Sequence, residues 1–105
     1  MTETPPLPRS MVLEEFMPFV GKWFLADCVP QPVEIRLIQA SPGRVFDTST
    51  RPPFNLTFFT GPEVLLQDGI YALRCESFGP DLVHISSLVA PQGSDPGYYY
   101  QAIFN

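Results

Sequence analysis

Charge is scarce in this chain, and histidine, cysteine and tryptophan are scarcer: 16% of residues are Asp, Glu, Lys or Arg, with one His, two Cys and one Trp. Each shortage removes a class of function. Six basic residues against eleven acidic ones leave a net charge of −5. There is no basic footprint to release counterions from nucleic acid or to hold an anionic membrane surface, so neither is an expected partner. One His and two distant Cys make a poor ligand set for zinc, and the dispersed acids form no calcium-type loop. No GxSxG elbow and no glycine-rich strand-to-helix turn occur, which leaves out the common acyl-transfer and phosphate-cradle signatures. The sequence therefore predicts no catalytic residue, metal or cofactor, and a protein that is not an enzyme. No run approaches the ~18–20 apolar residues of a membrane span. The opening MTETPPLPRS has an early acid and no apolar stretch, so no signal peptide is expected; the cytoplasm, or export without such a signal, follows. In a cytosol Cys28 and Cys75 are expected as reduced thiols.

Proline and aromatics are plentiful: thirteen Pro, nine Phe and four Tyr, with 45% hydrophobic residues overall. One domain of 105 residues can bury a core of its own. Residues 1–10 are polar and Pro-rich and read as a flexible tail, leaving 11–105 as a single β domain. Ser10 can cap a short helix through SMVLEEFMPFVG, with Leu13, Phe16, Met17 and Val20 on one face and Pro18 and Gly21 ending it. After that the period changes to two. Segments 22–28, 32–40, 54–59, 69–77, 81–89 and 98–105 alternate apolar and polar residues between Gly/Pro punctuation. The reading is all-β: a small antiparallel barrel or sandwich of about six strands, its one short N-terminal helix plugging an open end. Sequential strands are expected to pair. A tight turn on Gly79-Pro80 joins the fourth and fifth strands, and Leu65 and Leu66 fold back as a lid between the third and fourth.

Lone His84 stands between Val83 and Ile85 and reads as a half-exposed strand residue. As a base it would need Arg74, Glu76 or Ser86 beside it, and a nucleophilic pairing with Cys75 would depend on strand register. The aromatics are more informative. Most must be core, but Phe46 in the extended loop 41–53, and Tyr98 and Tyr99 in GYYYQAIFN, exceed the inward positions available. Exposed aromatics among small polar residues resemble interface anchors. They point to a protein partner or a homodimer, the latter through strand addition along the terminal strand.

Four segments carry a resemblance: EEFMPFVGKWF, PFNLTFFTGP, LLQDGIYALRCESFGPDLVHISSLVAP and YYYQAIFN. With them the chain resembles a widespread small bacterial β-domain family of unknown function, which shares F-x-x-L/V-G-x-x-F, F-x-L-x-F-x-G-P, Q-G-x-Y-x-L and a closing Y-x-A-V/I-F. The resemblance covers about residues 14–105. It departs at Asp68, which interrupts the Q-G step, and at Cys75, where many members carry His. The family brings no catalytic residue to carry over. It implies a context, beside phage-tail-collar-like fibre genes, and so an accessory or assembly role with a fibre- or tail-type partner. FVGKWFLA also resembles the G-x-W opening of lipocalins, whose cup binds an apolar ligand. That alternative needs roughly eight strands to enclose a cavity.

Overall fold

The computed structural model describes residues 11–28, 31–43, 53–90 and 93–104. The tail at 1–10, the Ser10 cap and Phe46 lie outside them. Alternation becomes six strands: β1 (Trp23–Ala26), β2 (Val33–Pro42), β3 (Phe54–Thr60), β4 (Gly69–Cys75), β5 (Phe78–Leu88) and β6 (Tyr98–Phe104). In β3 every second residue, Phe54, Leu56, Phe58 and Thr60, is buried, while those between are half-exposed. Inward residues from all six strands, among them Phe24, Leu37, Phe58, Leu73, Ile85 and Tyr100, fill the axis. Six strands enclose too little room for a ligand cup, and here their own side chains occupy it.

All neighbours are antiparallel and close a barrel in the order β1-β2-β3-β6-β5-β4. Sequential pairing holds except between β3 and β4, whose connection crosses the barrel end; β3 pairs with β6 instead, and β4 with β1. The two longest strands turn the corners. β2 pairs with β1 over Val33–Arg36 and with β3 over Arg36–Pro42, its register shifting between Leu37 and Gln39. β5 pairs with β4 from Phe78 to Ile85 and with β6 from Ser86 to Leu88. Strands that switch sheets at bulges make the corners of two-layered β folds. The front layer is β1 and β4 with the first parts of β2 and β5; the back layer is β3 and β6 with their second parts.

The β4–β5 turn falls on Glu76-Ser77, earlier than Gly79-Pro80. Glu76 takes the positive φ of 51° that the turn requires. Gly79-Pro80 instead forms an irregularity inside β5, where Cys75 pairs with Phe78 but Leu73 with Asp81. Gly79 has φ +81°, and a Cβ there would overlap the Leu73 carbonyl. Glycine is required for the bulge, not the turn.

The barrel is closed at both ends. At one, α1 (Leu13–Phe16) runs into a 3-10 turn, Met17–Phe19. Val12 is the N-cap, its N–H donating to the Glu15 carboxylate at 2.9 Å. Pro18 enters where a further α-turn would need its missing donor, so the coil tightens. That tightening changes the buried face: Phe16 is fully buried and Phe19 packs on the core, whereas Met17 is 55% exposed and Val20 also faces solvent. Phe16 meets Phe78, Phe54 and Phe104 at ring-centroid distances of 5.0, 5.8 and 5.8 Å.

At the opposite end residues 61–68 form the lid, with Leu66 buried and Leu65 outward. The lid hangs on one buried phenol. The Tyr100 hydroxyl accepts from the Leu66 N–H at 3.0 Å and lies 2.9 Å from Thr60 Oγ1. Tyr100→Phe leaves a buried N–H without an acceptor, which costs about 1–3 kcal/mol. The expected sign is faster hydrogen exchange at the Leu66 amide with little change at core β3 amides. Equal protection of Leu66 in both proteins would show that the phenol does not hold the lid.

Candidate interaction surface

β1 is only four residues long, and both its faces are apolar. Phe24 and Ala26 point inward, so the pleat drives Trp23 and Leu25 outward. The sole tryptophan is 48% exposed. Three adjoining hollows join it to the lid. Trp23 and Leu25 line one with Arg74, Cys75 and Glu76. Trp23 shares a second, of about 320 Å³, with Glu34, Glu63 and Val64. Val64 continues into an open groove of about 610 Å³ with Asp27, Cys28, Leu65, Ile70 and Tyr71. Leu65 and Ile70 are 59% and 65% exposed. The result is a mixed surface running from β1 over the lid to the start of β4, in which exposed apolar side chains stand among Asp27, Glu34, Glu63 and Arg74.

Ion pairs lie along it. Arg74 binds Asp27 at 2.8 Å and Lys22 binds Glu76 at 2.6 Å, both pairs exposed. The hydrogen bond to Glu76 raises the Lys22 pKa, burial opposing it weakly. Exposed pairs of this kind add little stability; they fix the positions of charges around the apolar side chains. Asp68 ties the lid to β5. Its carboxylate accepts from the Ser87 N–H and hydroxyl at 2.9 and 3.0 Å, which lowers its pKa. Burial raises both thiols, Cys28 and Cys75, with Asp27 and Glu76 adding to it. Raised pKa values keep thiols protonated and poor as nucleophiles. Both cysteines are free. Cys28 follows Asp27, whose N–H bonds the Ala72 carbonyl, so it lies level with Tyr71 and about 13 Å along the strand from Cys75. That is beyond disulfide reach.

His84 is exposed and pairs with Ile70 at the far end of β4 from Cys75, about 17 Å away along the strand, so no thiol–imidazole pair forms. Among the described residues no three His, Cys, Asp or Glu side chains gather closely enough to hold a metal. No described helix is long and apolar enough to cross a membrane.

The aromatic candidates separate. Tyr98 is exposed at the start of β6, as expected. Tyr99 is not: it is 6% exposed although it points away from the axis. Phe59, opposite it on β3, stacks on its ring at 5.2 Å, and its hydroxyl donates to the Asp95 carbonyl at 3.1 Å. Its own chain covers it. Strand addition along β6 is also corrected: β3 pairs with its whole length and β5 with Tyr99–Gln101, so that edge is taken. The sequence places Leu65 in the lid and Trp23 in the G-x-W segment but marks neither of them, nor Ile70, as a surface anchor. The available signal was an apolar residue at every position of WFLA, which forces one face of β1 outward.

No curated protein and no solved structure gives a significant match to the chain. One family profile does, over residues 11–104, from the start of the helical plug to the last residue of β6. The chain belongs to the family described as a domain of unknown function, DUF6916.

Proposed function

We propose that this domain is a non-enzymatic interaction module that docks a protein partner on the surface around Trp23, Leu25, Val64, Leu65 and Ile70. One observation carries the reading: the only tryptophan stands exposed beside Leu25, next to hollows that bring the apolar side chains Val64, Leu65 and Ile70 together with Asp27, Glu34, Glu63 and Arg74. Protein interfaces combine apolar anchors with polar neighbours, and tryptophan is among their commonest anchors. The family resemblance supplies the partner class, a fibre- or tail-type protein that the domain would accompany during assembly.

The experiment places a photo-crosslinking amino acid at Leu65 in the native cell, with Ser94, on an exposed loop, as control. One discrete adduct is expected from position 65, lost in a Trp23→Ser background and absent from position 94. Equal adducts from both positions, or none from position 65, would remove this surface as the docking site.

A further inference from the structure

The back layer is without charge. No residue of β3, of β6, of β2 from Leu37 to Pro42, or of β5 from Ser86 to Leu88 is Asp, Glu, Lys, Arg or His. Solvated sheet faces ordinarily alternate apolar-in with charged or polar-out residues. Here the outward side chains are neutral and form rows across the ladder. Gln39 lies opposite Thr57, Thr57 opposite Gln101, and Gln101 opposite Ser86, one unbroken row over four strands. Ser41, Asn55 and Ile103 make the next row, with Ile103 57% exposed, and the Phe59–Tyr99 stack closes the lid side. Two charges border it: Arg36, opposite Phe59, whose Nε donates to the Gly21 carbonyl at 3.2 Å, and the lid carboxylate of Asp68, held by Ser87 at the β5 edge.

From this we infer that the back face is a self-association surface whose occupant is a second copy of the chain. Two properties select that partner. Each hydroxyl and amide in the rows is both donor and acceptor. A face of such groups is complementary to itself across a two-fold axis, as one of carboxylates or ammoniums cannot be. The chain also carries net charge −5, so two copies repel wherever acids face acids; the back layer is the large surface where they meet without doing so. The contact goes beyond the docking surface, which lies on the opposite side of the barrel. Strand segments of seven, seven, six and three residues give roughly 360 Å² of planar area per copy. That is below the ~800 Å² per partner of a standard interface, so the pair is weak and calls for a wide concentration range to detect.

Sedimentation equilibrium of the full chain from about 10 μM to 1 mM tests this. The weight-average mass is expected to rise from the 11.8 kDa monomer toward twice that value. Gln101→Glu, nearly isosteric, sets carboxylates on both copies and should weaken association at least about tenfold. Mixing Gln101→Glu with Gln101→Lys should restore it, and Trp23→Ser should leave it unchanged. Thr57→Lys, one strand across, repeats the test should Gln101→Glu fold poorly by circular dichroism. A mass fixed at 11.8 kDa throughout, or association that survives charge at both positions, overturns the proposal. Association abolished by Trp23→Ser instead would reassign it to the front surface. The crosslinking result from Leu65 is independent of every one of these outcomes.

Discussion

Phe16→Ala should destabilise the domain by about 3–5 kcal/mol, the usual range for emptying a buried phenylalanine site. Against the 5–15 kcal/mol of a typical domain, that is a large share of the total, and the thermal midpoint should fall by on the order of 20 °C. The size follows from what the ring holds together. Phe54 opens β3, Phe104 ends β6 and Phe78 opens β5, and all three rings meet Phe16 within 5.8 Å. Phe54 and Phe104 pair and stack on each other and Phe78 also meets Phe19 and Phe24, but the β5–β6 ladder stops at Ser86 and Gln101, so Phe16 is the ring that joins the two sides of that seam. Without the ring, the seam between β5 and β6 is left with a void that the four-residue helix is too short to refill. Met17→Ala, one residue on and exposed, should change stability by under about 0.5 kcal/mol. A Phe16→Ala loss below about 1 kcal/mol in urea titration would mean that the helix is an appendage rather than a plug.

The elements were legible in the sequence because alternation is local. Phe54, Leu56 and Phe58 are the inward set of β3 whatever β3 pairs with. Pairing order was not legible in the same way. Closing the barrel joins β3 to β6 and β4 to β1, contacts between distant segments that no periodicity encodes. The β4–β5 turn shows a second limit: Gly79-Pro80 is the strongest turn signal of that region, but a bulge also requires positive φ, and Glu76 supplies the turn from an unremarkable sequence. The interaction surface exposes a third. Alternation says that Tyr99 and Trp23 point away from the axis, and both do. Whether an outward aromatic is free depends on what stands opposite across the ladder. Phe59 stands opposite Tyr99 and covers it, while Arg36 stands opposite Trp23 and turns toward Gly21.

Front and back layers differ in the charge they carry. The β1–β4 seam carries the exposed tryptophan and the ion pairs, and the β3–β6 seam on the other side of the barrel carries no charge at all. A pair joined back to back would present two Trp23 surfaces facing outward. Weak self-association is then sufficient, since a repetitive partner engaged by both copies gains an effective concentration that neither contact has alone. The fibre-type partner proposed above would be repetitive in this way.

Gly97→Ala should cost about 3 kcal/mol or more, far more than Gly93→Ala in the same loop, and the comparison separates two kinds of penalty. Both glycines have positive φ, +150° at Gly97 and +81° at Gly93, conformations that a Cβ disfavours by ~1–2 kcal/mol. At Gly93 the new methyl meets nothing within 4 Å, so that penalty is the whole effect. At Gly97 the methyl overlaps the Thr60 carbonyl oxygen and comes within 2.7 Å of two Phe59 ring carbons. Neither can yield freely. Thr60 Oγ1 donates to the Val64 carbonyl at 2.9 Å and touches the Tyr100 hydroxyl, so moving the end of β3 disturbs the lid. Phe59 is stacked on Tyr99, the ring it keeps from solvent. Overpacking of this kind adds ~1–3 kcal/mol. Urea unfolding of the two variants against the parent gives the comparison directly, with Tyr99 fluorescence and Leu66 amide exchange reporting where the strain goes. Equal losses at the two positions would show that the entry to β6 has room to relax, and that Gly97 is required for its backbone angle alone.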